Sequence, residues 1–152
     1  MTFKATYLGS NGWIIEFKSS RIVIDPWLSG ELVFPLGGWF FKGTLKSEIP
    51  TPPDVDLILL TQGLPDHCHI PSLKKFPKNI KIICSKSAAK ILHDLNFKSI
   101  KIMEPGEKFL FKDIDIESTS GAKVPQTENG YILENKEGSF YIEPHGFLDK
   151  NI

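Results

Sequence analysis

The stretch Leu57-Ile58-Leu59-Leu60-Thr61-Gln62-Gly63-Leu64-Pro65-Asp66-His67-Cys68-His69 carries the reading of the fold. It opens on four consecutive apolar residues, the pattern of a strand covered on both faces. Gly63 and Pro65 then break the chain into a polar loop. A buried strand ending this way delivers loop side chains to the carboxyl edge of a sheet, where α/β proteins bind ligands. Asp66, His67 and His69 place three metal-ligand side chains within four residues, and carboxylate with imidazole suits Zn²⁺ or non-haem Fe²⁺.

Downstream, the spacing predicts a short helix around Ser72 to Lys75, a second buried strand over Ile80 to Ile83, and a helix from Ser85 to about Asn96. Ala88, Ile91, Leu92 and Leu95 give that helix its apolar face, and Ser85 or Ser87 is its N-cap. Upstream, Thr2 to Leu8 alternates, with Phe3, Ala5 and Tyr7 on one side. Gly9 to Gly12 is turn chemistry between this strand and another over Trp13 to Phe17, and a third follows over Arg21 to Ile24. Residues 28–53 lack periodicity and carry Phe34, Trp39, Phe40 and Phe41 among glycines and prolines. This predicts a long loop that is either functional or a flap over a sheet edge or dimer contact. The last third returns to strands over Ile100–Met103, Lys108–Phe111, Ile114–Ser118, Gly130–Glu134 and Ser139–Ile142. A hairpin turn is expected at Asn135–Gly138, and Asn129 is read as a turn residue of positive φ.

The chain has 152 residues, which fits a single domain over 1–152, with 18 basic against 18 acidic side chains. Zero formal charge argues against nucleic acid or an anionic membrane as partner. Lys74, Lys75, Lys78 and Lys81 crowd one stretch, which is read as a solvated rim. Two cysteines, Cys68 and Cys84, make no disulfide framework, and no apolar run approaches the roughly 18 residues of a membrane span. A cytoplasmic protein acting on a small molecule is the expectation.

Thr61 to His67 resembles the metallo-β-lactamase superfamily motif Thr-His-x-His-x-Asp-His at the end of an apolar strand. The flanks, Tyr7-Leu8-Gly9 with Gly12 and then Ile24-Asp25-Pro26-Trp27, are similar to the ascorbate-6-phosphate lactonase-like branch, and Gln62-Gly63 before Asp66-His67 to a cyanobacterial and plant form of the motif. The resemblance implies an α/β fold, an αββα sandwich with its C-terminal half missing or reduced. It also implies a hydrolase that activates water with zinc. In that family two histidines hold a first metal with a later histidine. The Asp-His pair holds a second metal with a bridging Asp and a histidine further on.

This chain departs from that pattern. Gln62 and Leu64 stand at the first two histidine positions, Thr119 to Ala122 supplies no histidine, and Glu143-Pro144-His145-Gly146 stands where the bridging Asp is expected. The resemblance therefore implies at most one ion, Zn or else Fe or Mn. Asp66, His67 and His145 would hold it with His69 or Glu143 assisting, and Asp66 would be the catalytic ligand or base for attack on a lactone, ester or phosphodiester. The alternatives remain open. Asp66 could be a turn or N-cap residue, His67 and His69 hydrogen-bonded loop residues and His145 a rim residue, giving an inactive, metal-free member that binds a ligand or a partner. Cys68 is either a soft ligand or a thiol turned away. A shortened sandwich would also expose apolar sheet, for which a homodimer is the expected cover.

Overall fold

The computed structural model describes residues 3–34, 42–123 and 127–145. In chain order the elements are β1 (Lys4–Gly9), β2 (Gly12–Phe17), β3 (Ser20–Ile24), β4 (Glu31–Val33), β5 (Lys42–Thr44), β6 (Leu57–Leu60), α1 (Ile70–Leu73), β7 (Lys81–Cys84), α2 (Lys86–Asp94), β8 (Ser99–Ile102), β9 (Lys108–Phe111), β10 (Ile114–Ser120), β11 (Asn129–Asn135) and β12 (Gly138–Ile142). Six strands form one sheet in the order β1-β2-β3-β6-β7-β8, antiparallel through β3 and parallel beyond it. The strands β12-β11-β10-β9 form a second, antiparallel sheet.

Because side chains alternate along a strand, β6 feeds two cores. Ile58 and Leu60 join Val23, Ile82, Leu73, Ala88 and Leu92 under the helices. Leu57 and Leu59 join Ile15, Ile22, Ile83, Ile116, Tyr131 and Leu133 between the two sheets. The layers are thus helix, sheet, sheet, which is the expected metallo-β-lactamase-like arrangement. Four apolar residues in a row are what a strand with no solvent face requires, and all four are fully buried. The outer face of the second sheet carries Asp115 and Glu134 toward solvent, with Leu110 62% exposed on β9.

Three expectations need correction. Residues 28–53 are not without structure: β4 pairs antiparallel with β5, and Leu28 and Leu32 bury their side chains. Trp39, Phe40 and Phe41 lie outside the described residues. The first helix starts earlier than Ser72, at Ile70, because His69 caps it and Pro71, which lacks a backbone donor, suits the first turn. Asn129 is no turn residue: it sits buried in β11, where its amide donates to Met103 O at 2.6 Å.

The junction of the two sheets sets the site. At the end of β6, Asn129 N donates to Thr61 O at 2.9 Å and the Tyr131 hydroxyl donates to Leu60 O at 3.2 Å, fastening β11 to the carboxyl edge of the first sheet. On the other side, a Cβ at Gly12 would meet Asp25 O at 3.1 Å. A side chain here would press the β1–β2 hairpin away from the end of β3, and glycine lets the two lie close, with Asn11 reaching the motif loop.

Candidate metal centre

Asp25 ends β3 fully buried with φ 41°, a left-handed conformation that Asp tolerates better than most side chains. Its Oδ1 accepts from Thr61 N at 2.9 Å. Its Oδ2 accepts from the Thr61 hydroxyl and from His67 Nδ1, the latter at 2.8 Å. Both carboxylate oxygens are therefore used, and the Nδ1 bond leaves His67 Nε2 as the outward nitrogen. That atom lies 3.4 Å from Asp66 Oδ2 and 3.2 Å from Asn11 Nδ2, while Asn11 also donates to Asp66 Oδ2 at 3.1 Å.

Burial alone would lower the pKa of His67, but the hydrogen bonds to Asp25 and Asp66 outweigh it and push the value up to about 10. Burial would raise Asp66, yet the bond and charge of His67 hold it below the usual carboxylate value, so it is an anion at neutral pH.

A second network faces the first. Gln62 and Glu128 are both fully buried, and Gln62 Nε2 donates to Glu128 Oε2 at 2.7 Å. The same carboxylate oxygen bonds His145 Nδ1, which also lies 3.2 Å from Gln62 Nε2. His145 reaches in from the end of β12 with its side chain 38% exposed, its ring centroid 4.9 Å from that of His67.

Asp66, His67 and His145 come together here: one ligand atom from each lies within 4.8 Å of the others. The donor chemistry fits a divalent ion, since two imidazoles and one carboxylate form an open, mononuclear set. The buried oxygens support the same conclusion. Asp66 Oδ1, Glu128 Oε1 and Gln62 Oε1 have no hydrogen-bond partner, and acceptors left bare in a protein interior call for a cation, a proton or water.

His69 is not brought into this cluster. Its Nδ1 accepts from the Ser72 hydroxyl at 2.8 Å, that hydroxyl accepts from Leu28 N, and its Nε2 donates to Glu31 O at 3.2 Å. Both ring nitrogens are engaged in capping α1 and tying it to β4, and burial lowers the pKa, so the ring is neutral. Cys68 is buried in the helix-side core with its thiol pKa pushed far up by burial and by the charge of Asp25, which is not the state of a soft ligand. His93 stands exposed on α2, and Cys84 lies in the core.

Across residues 4–151 the sequence matches the model of the beta-lactamase superfamily domain. The chain belongs to that superfamily. Solved structures agree on the fold. A possible metal-dependent hydrolase from Veillonella parvula superposes with TM-score 0.74 at 20% identity, covering 94% of this chain and 63% of that one. The isothiocyanate hydrolase from Delia radicum gut bacteria gives TM-score 0.70 at 17% identity, covering 93% and 61%. A diiron β-hydroxylase from Streptomyces venezuelae gives TM-score 0.70 at 16% identity, covering 94% and 29%. The chain thus spans under two thirds of each of these structures, and identities this low speak for the fold alone. A comparison with the curated proteins finds no match.

Gln62, which resemblance to the motif sets at the first histidine position, donates to Glu128 and lies 3.2 Å from His145 Nδ1. Sequence reasoning missed Asn11 and Glu128, took Thr61 only as the opening residue of the motif, and took Asp25 only as a flanking match. For Glu128 the available signal was a carboxylate directly before Asn129-Gly130-Tyr131, at the mouth of a strand buried from its first residue.

Proposed function

We propose that this protein is a metal-dependent hydrolase holding one divalent ion on Asp66, His67 and His145. The convergence of these three side chains within 4.8 Å carries the proposal. A bound divalent ion supplies a lowered pKa for water and polarisation of a carbonyl or phosphoryl oxygen. The chain's own residues do the rest. Asp25 and Glu128 each hold the Nδ1 of one ligand histidine, fixing tautomer and ring orientation. Asn11 restrains Asp66 through Oδ2, leaving Oδ1 as the acceptor for a proton of the attacking water. His69 stays outside the ligand set as a structural cap. The substrate class is a lactone, ester or phosphodiester of a small molecule. The strings Tyr7-Leu8-Gly9 and Asp25-Pro26-Trp27 support the lactonase-like branch.

A second reading, a non-catalytic member that binds a ligand or pairs as a homodimer, is favoured by Gln62 and Leu64, which replace two ligand positions with an amide and an alkyl chain. Elemental analysis separates the two, run on the protein and on the His67→Ala, His145→Ala double variant. About one zinc, iron or manganese per chain, lost in the variant, supports the hydrolase. No metal in either protein after incubation with zinc or iron leaves the binding reading.

A further inference from the structure

Beside the metal cluster lies a cavity of about 350 Å³, between the tip of the β1–β2 hairpin and the end of β12. Its walls include Tyr7, Asn11, Trp13, Phe140 and Glu143. Three of these are aromatic and touch in series at tilted angles: Tyr7 against Trp13 with centroids 5.0 Å apart, and Trp13 against Phe140 at 5.5 Å. The Tyr7 hydroxyl donates to Ser10 O at 2.8 Å, which pins the ring to its own hairpin. Yet Tyr7 stays 57% exposed, the second most exposed of the large hydrophobic side chains noted among the described residues. A largely exposed tyrosine backed by two further aromatic rings offers a surface suited to receive another ring.

Asn11 joins the cavity to the centre: it lines the cavity, and its amide nitrogen is within 3.2 Å of both Asp66 Oδ2 and His67 Nε2. A molecule on the Tyr7–Trp13 wall that extends as far as Asn11 comes next to Asp66 and His67. Among the described residues the lining carries one carboxylate, Glu143, and no lysine or arginine. Such walls disfavour an anionic guest.

We infer that this cavity binds an uncharged aromatic ring of the substrate, so that the bond cleaved belongs to an aryl-bearing ester or lactone rather than a phosphate ester. The cleavage rests on the hydrolase reading above; the ring binding does not. In the step itself, water oxygen bonds to the carbonyl carbon and the carbon–oxygen bond to the aryl side breaks. The released oxygen takes one proton, and the other leaves with the ionising carboxylic acid.

Two lactones that share the same six-membered ester ring, dihydrocoumarin with a fused benzene and δ-valerolactone without one, test the inference when titrated by NMR. The titration uses metal-free protein, which cannot turn them over by the proposed chemistry, together with Tyr7→Ala and Trp13→Leu. Dihydrocoumarin should bind about tenfold or more tighter than δ-valerolactone, and either variant should remove most of that difference. Because Tyr7 is largely exposed, Tyr7→Ala keeps its melting temperature and stays informative should Trp13→Leu fail to fold. Equal binding of the two lactones, or a preference that survives Tyr7→Ala, overturns the inference. Phenyl phosphate binding more tightly than dihydrocoumarin overturns its uncharged character. Metal uptake without a ring preference sinks this inference alone, whereas a ring preference in a protein that takes up no metal sinks the hydrolase reading and the cleavage that rests on it, and keeps the ring binding.

Discussion

His67 and His145 face each other across the centre, each with a buried carboxylate on its Nδ1, but the two carboxylates are held differently. Asp25 has every oxygen engaged, by Thr61 N, the Thr61 hydroxyl and His67, all anchored on the ends of β3 and β6. Glu128 uses one oxygen for both Gln62 and His145 and leaves the other without a partner. The first arrangement is part of the architecture and would persist whatever is bound. In the second, the side-chain amide of Gln62 and the imidazole of His145 share one oxygen, and the other has no protein partner. On the reading proposed above, the Asp25 side would chiefly stabilise the fold and the Glu128 side would tune the metal site.

The largest effect should fall on the first half. Asp25→Ala strands His67 and Thr61 in a dry interior and should lower the unfolding free energy by about 3–5 kcal/mol, read from chemical denaturation. Glu128→Ala, which removes an incompletely satisfied group, should cost about 1–2 kcal/mol. Losses of equal size would break the comparison. A pH profile of the metal-free protein sharpens it. The folded pKa of His67, about 10, lies above its ordinary 6.5, so its contribution is complete below pH 6.5 and is lost as pH rises toward 10. Thermal unfolding in the presence of chelator should show that decline, a few kcal/mol at most. A flat profile over the same window would mean that the Asp25 half holds a neutral ring.

This asymmetry tracks what was legible in the sequence. Apolar runs disclosed the layers: Leu57 to Leu60 is the observed β6, and the run expected as a strand over Ile80 to Ile83 overlaps β7 at Lys81–Cys84, because a strand covered on both faces favours apolar residues throughout. The Asp66-His67 pair was equally visible, being local. Glu128 was not, because its role depends on β11 docking onto the end of β6 some 66 residues away in sequence. The hairpin of β4 and β5 was missed because three-residue strands such as Lys42-Gly43-Thr44 carry no readable period. His69 was grouped with the ligands because spacing along the chain does not reveal that a helix begins at Ile70 and turns its N-cap away from Asp66.

On the second half, the smaller change Glu128→Gln keeps the shape and removes the charge. It should weaken zinc binding by about 10–100-fold in a chelator-competition titration while leaving one ion per chain and shifting stability by no more than about 1 kcal/mol. Unchanged affinity would reduce Glu128 to packing and leave His145 to orient itself.

The mildest test concerns the two histidines that flank Cys68. His67→Ala should abolish metal uptake, since it removes the central ligand of the set. His69→Ala should leave uptake at one ion per chain. It should still cost about 1–2 kcal/mol, because Ser72 loses its acceptor and Glu31 O its donor where α1 is capped. Asparagine at 69, a good N-cap that can accept from Ser72 N, should recover part of that loss. If His69→Ala lowers the metal content, the ligand set is larger than Asp66, His67 and His145, and α1 is tied to the centre rather than only to β4. A stability cost without metal loss would show that two histidines one residue apart serve different layers of the fold, one the chemistry and the other the helix beneath it.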